Sequence, residues 1–290
     1  METKTMKIKK TNRFGEIWRR FRKNKTAVVG LVIISIFIFV AIFADLLVPY
    51  KLATEQHVMQ KLMRPCAEHI FGTDHLGRDL FARVFHGTRY SLMIGVVTTI
   101  CTLIISLILA SLAGYFGGAI DNLIMRLMDI MTAIPSLVLA MAIVAALGRS
   151  VTNMFIALTI SGIPPMVRVI RSSILNVVNQ EYIEAARACN TGTGRILRKH
   201  VLANAIGPII VTTTMNVASR IMNAATLSYM GLGFLPPTPE WGAMLSDARA
   251  YMQTIPTLMI FPGLCIVLTT LSINLVGDGL RDALDPKLKN

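Results

Sequence analysis

Six apolar stretches, each long enough to cross a bilayer as a helix, restrict this chain more than any other feature. Residues 27–44 run for eighteen positions without a charge and stop at Asp45. A second charge-free run covers residues 91–120. Four more follow at about 130–147, 154–170, 205–227 and 255–276. A mean hydropathy of +0.59 and 53% hydrophobic residues lie above what soluble domains reach. The expected fold is therefore an all-α polytopic membrane protein with six transmembrane helices.

Charge sets the orientation. Residues 1–25 hold ten Lys and Arg against Glu2 and Glu16, and residues 168–204 hold six. The links after spans three and five carry only Arg149 and Arg249, and the six cations of residues 48–89 are offset by four acids. Positive charge collects on the cytoplasmic side, so both termini are expected inside. A net charge of +13 in a soluble protein would suggest nucleic acid, but here the cations cluster at span ends and no separate basic domain exists. A cleaved signal peptide fits poorly: the first apolar run is too long and no small-x-small site follows it. Phe14, Ile17, Trp18 and Phe21 fall at i, i+3, i+4, i+7, the pattern of a helix lying on the membrane surface.

Punctuation marks the remaining organisation. Residues 48–89 read as an external segment in which Asp74, Arg78, Asp79 and Arg83 can pair with one another. His69, His75 and His86 match no compact metal-ligand spacing and are expected to be solvated. Gly114–Gly118 reads as a cytoplasmic turn, Pro135 as a kink inside the third span, and Gly162-Ile-Pro-Pro165 as a break in the fourth. Asp129 is expected to pair with Arg126. Residues 228–254 read as a bent external loop with Trp241 at the membrane interface. The four cysteines form no CxxC pair and imply neither a disulfide framework nor a metal site.

Two places carry functional signal. Residues 180–204, QEYIEAARACNTGTGRILRKHVLAN, form the longest polar segment in the second half. Ala, Glu and Arg favour a helix over 181–189, with Tyr182, Ala185, Ala186 and Cys189 on one face. Asn190 to Gly194 then ends it, because Asn and Gly accept left-handed backbone. A second helix over 195–204 presents Ile196, Leu197 and Val201. The ordinary reading is a charged connector. In the fifth span, Asn216, Arg220 and Asn223 share a face at i, i+4, i+7. An ionisable residue at membrane depth is costly. Arg220 therefore either snorkels or pairs structurally, or lines a substrate path with the two asparagines.

Glu184-Ala185-Ala186, the turn at Asn190, Ile196 and Leu202 resemble the EAA loop of ABC importer membrane subunits. The family usually has Gly at the position of Asn190 and Pro at that of Ala203; the second change is expected to loosen the start of the next span. FGTDHLGRDLFARVFHGTRYSLMIG, GLGFLPPTPEWGAML and the terminal GDGLRDALDP resemble the C-type subunits of dipeptide, oligopeptide and nickel importers. The resemblance covers nearly the whole chain and implies the type I ABC importer permease fold. Its implied parts are an N-terminal tail, first span and external loop over 1–88, a five-helix core over 89–278 and a tail over 279–290.

By that resemblance the 180–204 loop is the coupling element, with Glu181, Tyr182, Glu184, Ala185, Ala186, Arg187, Ala188 and Asn190 docking on an ATP-hydrolysing subunit. The implied partners are a second permease subunit, two cytoplasmic ATP-binding subunits, an extracytoplasmic peptide-binding protein and membrane lipid. No GxxxxGK[ST] run is present to cradle phosphates, so ATP and magnesium belong to the partners and this chain is a translocation subunit rather than an enzyme. Expected cargo is dipeptides or oligopeptides carried across a bacterial cytoplasmic membrane. Nickel or a metal chelate is the alternative, and an ATP-independent secondary transporter, which would need inverted repeats, is the more distant one.

Overall fold

The computed structural model describes residues 13–284, and the expectations that fall on residues 1–12 and 285–290 lie outside it. A short helix, α1 (Arg13–Phe21), precedes α2 (Lys25–Leu47), whose N-terminus is capped by the Asn24 side chain accepting from the Ala27 N–H at 3.1 Å. After α3 (Tyr50–Thr54) and a long loop comes α4 (Leu80–Phe116), followed by α5 (Gly118–Thr132), α6 (Ser136–Leu147) and α7 (Val151–Val178). The polar loop holds α8 (Glu181–Ala188) and one turn, α9 (Thr193–Arg195). Ile196–Leu202 winds as a π-helix into α10 (Ala203–Tyr229). Last come α11 (Trp241–Ala248) and α12 (Thr257–Leu284).

Five of these helices are long and apolar enough to span a membrane, and α5 with α6 forms a sixth, broken span bent by 82°. Pro135 is therefore not a kink inside a continuous helix. The chain leaves the helix after Thr132, and Pro135, whose ring fixes φ and removes a donor, opens α6. Gly162-Ile-Pro-Pro165 departs in the other direction: α7 runs through Pro164 and Pro165 without a break. Neighbours hold it there. Thr102 and Ser106 of α4 donate to the Thr159 and Ile163 carbonyls (3.2 and 3.4 Å), and Arg220 of α10 donates to that of Leu158 (3.1 Å). The turn between α4 and α5 is shorter than expected: Gly114 lies within α4, and the chain turns at Gly117 and Gly118, whose φ of +64° and +55° glycine enters without steric cost.

α4 begins at Leu80, not near residue 91, so the last ten residues of the expected external segment, 80–89, are helix. Asp79 caps it, accepting from the Ala82 N–H at 2.7 Å. The polar residues of its first turns are buried and satisfied at a distance. Arg83 donates to the Ala53 carbonyl (3.1 Å) and pairs with Asp74 (3.4 Å), and His86 bonds the Val48 carbonyl at 2.8 Å. His86 is thus a helix residue at 1% exposure, not a solvated loop histidine. Arg78 pairs with Asp74 (2.6 Å) as expected, whereas Asp79 takes His69 (2.8 Å). Trp241 also departs from expectation: it is fully buried, donating its indole N–H to the Val84 carbonyl at 3.1 Å. Gly87 provides the room, since a Cβ there would meet the indole at 2.9 Å.

Two apolar clusters define the ends of the bundle. Near α8, Ile170 and Ile174 of α7 meet Ile183, Ile196, Val201 and Ile209. At the opposite end Ile94, Val144, Met154, Leu158 and Leu227 close together. α2 lies against α12 through small residues. A Cβ at Gly30 would fall 2.7 Å from the Ser272 carbonyl oxygen, and one at Gly279 would overlap Ala27. The outward surface of α2 is apolar, with Val29, Val32, Ile36, Phe39 and Ile42 exposed, as lipid-facing side chains are. The membrane-surface expectation for α1 holds only in part. Ile17 and Phe21 pack against Ala283, Leu280 and Val276 of α12, while Trp18 stays 44% exposed. The side chain of Phe14 lies outside the described residues.

Candidate functional site

α8 is eight residues long, below the length at which a helix holds itself in water. Glu181 and Glu184 in its first turn and Arg187 in its last suit the helix dipole, a gain of a few tenths of a kcal/mol each. Tertiary packing supplies the rest. Ile183 is fully buried among Ile174, Ile196 and Val201, and Ala186 is half-buried beside it. The helix ends as its residues dictate: Asn190 sits at φ +53°, and the Thr191 N–H reaches back to the Ala186 carbonyl at 3.1 Å.

The packing divides the face of Tyr182, Ala185, Ala186 and Cys189 that the sequence outlines. Ile183 and Ala186 form the anchored side, while Tyr182, Ala185 and Cys189 are exposed with Glu181, Glu184, Arg187, Ala188 and Asn190. An apolar strip thus stands outward between charges, and Arg187 lies over the Tyr115 ring at 5.3 Å. The second half of the loop also differs: residues 195–204 do not make a separate helix but run through the π turn into α10. Ile196 and Val201 are buried there as expected. The widened winding ends at Ala203, where the helix resumes α geometry.

Two ion pairs fix the neighbouring span ends. Arg171 meets Asp121 with both nitrogens at 2.5 Å, and Arg168 meets Asp129 at 2.7 Å. The partner of Asp129 is therefore Arg168 of α7, not Arg126. Both pairs join α5 to α7 beside α8.

Within the membrane, Arg220 is 5% exposed. One guanidinium nitrogen donates to the Leu158 carbonyl at 3.1 Å, and its Nε is buried with no partner among the described residues. It neither snorkels nor faces an open surface. It lies in a notch made by Gly162 of α7, where any Cβ would overlap the guanidinium. Asn216 turns to α7 as well, its amide 3.5 Å from the Met166 sulfur, and Asn223 is half-buried. The outward side of α10 carries hydroxyls seven residues apart: Ser219 is exposed, and Thr212 and Thr226 are partly so. No sequence spacing linked Gly162 to Arg220; a glycine before two prolines reads only as a helix break.

Glu240 is a further residue that the sequence reading passed over. At 1% exposure its carboxylate caps α11, accepting from the Gly242 and Ala243 N–H groups at 2.9 and 2.8 Å and from the Ser91 hydroxyl at 3.4 Å. Burial pushes its pKa above the usual carboxylate value, against the lowering effect of those bonds. Its place immediately before a helix, in Pro-Glu-Trp-Gly, was the available signal.

Comparison with known proteins agrees with this architecture. Residues 81–290 match the family model described as binding-protein-dependent transport system inner membrane component. Residues 12–65 match the N-terminal TM domain of oligopeptide transport permease C. The chain is 46% identical over 275 residues to the dipeptide transport system permease protein DppC of Alkalihalophilus pseudofirmus, covering 95% of this chain and 90% of that one. It is 45% identical over 281 residues to the di/tripeptide permease DppC of Pseudomonas aeruginosa, covering 95% and 92%. Identity to the glutathione transport permease GsiD of Escherichia coli O157:H7 is 44% over 274 residues, covering 94% and 90%. Among solved structures, an inward-facing form of the MetNI methionine ABC transporter aligns with a TM-score of 0.60 at 19% identity, covering 71% of this chain and 98% of that one.

Proposed function

The chain belongs to the family of binding-protein-dependent transport system inner membrane components, and on that premise we propose that it is one membrane subunit of an ATP-driven importer of dipeptides or oligopeptides. The names of the dipeptide and di/tripeptide permeases to which it is similar support the cargo class. The observation that carries the mechanism is α8: a helix too short to stand alone, anchored by Ile183 and Ala186 to the ends of α7 and α10, with an exposed apolar strip facing away from the bundle. Such an element moves only with the spans that hold it.

In this reading ATP and magnesium are bound by two partner subunits, and α8 docks on one of them through Tyr182, Ala185 and the surrounding Glu181, Glu184, Arg187 and Ala188. Both termini are cytoplasmic, as the charge distribution favours. Nucleotide-driven closure pushes α8, and its buried anchor transmits the push to α7 and α10. A second permease subunit forms the opposite wall of the path. The hydroxyl and amide groups on the outward side of α10, Asn223 among them, line this wall, and Arg220 acts from behind it by fixing α10 to α7. A binding protein delivers substrate at the face bearing residues 231–245.

Glu184→Lys tests the docking directly. Glu184 is exposed, so the fold should survive while ATP-driven uptake falls at least about tenfold, the effect of losing roughly 1.4 kcal/mol at the contact. Ala186→Asp is less clean, since Ala186 packs inward. Undiminished uptake by the Glu184→Lys transporter would remove the coupling role from α8.

A further inference from the structure

We propose that α1 and the turn leading into α2 form a binding site for anionic phospholipid headgroups, in the leaflet at which α2 begins. The site stands independently of the transport reading. Four cations project from this corner. Arg19, Arg22, Lys23 and Lys25 are exposed and make no ion pair among the described residues, whereas Arg20 is taken up by Glu16 at 2.7 Å. Asp282 of α12 accepts from the Asn24 amide at 3.1 Å.

Orientation by positive charge asks only that cations be present in a segment. The tertiary arrangement does more. Ile17 and Phe21 are used to clamp α1 onto α12, and a Cβ at Gly279 would strike the Phe21 ring at 2.9 Å, so the helix is held close. Trp18 is left outside, stacked on Phe21 with ring centroids 5.8 Å apart and planes 8° from parallel. It is an exposed indole on a fixed platform beside four cations that have no ion-pair partner among the described residues. Arg22, whose N–H reaches back to the Trp18 carbonyl at 3.0 Å, continues the last turn of α1, and Lys25 opens α2 beyond the short turn. The exposed Val29 and Val32 continue outward along that span as lipid-facing surface. Indoles favour the headgroup level of a bilayer, and clustered cations beside a span attract acidic headgroups by about 1 kcal/mol each. A phosphate held among Arg19, Arg22 and Lys23, with its acyl chains along α2, satisfies both halves of this surface.

The full chain in nanodiscs tests the site. The protein has two tryptophans, and Trp241 is fully buried, so Trp18→Phe supplies the background to subtract. Quenching of Trp18 is compared in brominated phosphatidylglycerol and brominated phosphatidylcholine at equal mole fraction. Expected is a preference for phosphatidylglycerol of at least about threefold, below the roughly fivefold that one surface cation can supply. It should vanish in Arg19→Gln/Arg22→Gln/Lys23→Gln, which keeps Lys25, and weaken in high salt. Inorganic phosphate at millimolar concentration should leave it unchanged. Equal quenching by the two lipids, a preference that survives the triple substitution, or loss of the preference to free phosphate would each overturn the proposal. So would a Trp18 that neither lipid quenches, which would put a protein surface rather than lipid against α1.

Discussion

Replacing Ile183 by Ala should release α8 without unfolding the bundle. Ile183 is the one fully buried residue of α8, and it fills the space between Ile174, Ile196 and Val201. Truncating a buried Ile to Ala costs about 2–5 kcal/mol, lost apolar burial and cavity combined. Half of α8 is solvated and neighbouring chain can relax, so about 3 kcal/mol is a fair central value for this site. The helix has little else to draw on, being too short for independent stability. The loss should therefore appear as local opening rather than global unfolding. At about 1.4 kcal/mol per decade, amide exchange over residues 185–189 should accelerate roughly a hundredfold. Hydrogen–deuterium exchange of the reconstituted chain reads this directly, with the centre of α7 as internal reference. Transport should fall in parallel while ATP hydrolysis by the assembled complex persists, since a loosened lever still docks but no longer pushes. Exchange in α8 that rises less than about threefold in a folded protein would refute the anchoring argument. Equal acceleration in α7 would show that Ile183 supports the whole bundle instead.

Other perturbations follow from the same structure. Gly162→Ala would force the Arg220 guanidinium out of its notch and away from the Leu158 carbonyl. An uncompensated buried charge costs about 3–5 kcal/mol, so the melting temperature in detergent should drop sharply, with partial recovery when Arg220→Met is added. A Gly162→Ala protein as stable as wild type would disprove the notch. Glu240 gives a pH signature. Its folded pKa is raised by burial above its ordinary 4.5. Its contribution is therefore complete below the unfolded value and declines as pH rises through the folded one. Thermal stability should fall as pH rises above about 4.5, the ordinary value, and Glu240→Gln should flatten the profile; an unchanged profile in the variant would assign the dependence elsewhere.

The membrane spans were legible because hydrophobicity along the chain reports them without knowledge of neighbours. What escaped was set by distant partners. Arg83 and His86 look like loop residues until the Ala53 and Val48 carbonyls are placed beside them. Pro164 and Pro165 read as a break, yet α4 and α10 hold α7 continuous from both sides. The 180–204 loop was recognisable by its turn residues and its Glu-Ala-Ala run, but its polarity was not. Helical spacing groups Tyr182, Ala185, Ala186 and Cys189 without saying which way they turn, and only the packed structure shows that Ile183 is the anchor, that Ala186 packs beside it and that Tyr182, Ala185 and Cys189 look outward. Trp241 followed the average behaviour of tryptophan near membranes until Gly87 opened space for it in the core.

The most direct test of the account is uptake into membrane vesicles carrying this chain with its neighbouring permease, ATP-binding subunits and binding protein. Labelled dipeptide, a longer peptide and nickel would be offered side by side, with and without ATP, to the wild type and to Glu184→Lys. The account predicts ATP-dependent peptide uptake that Glu184→Lys abolishes. Nickel uptake alone would keep the architecture and contradict the cargo; peptide uptake that persists without ATP would contradict the coupling mechanism itself.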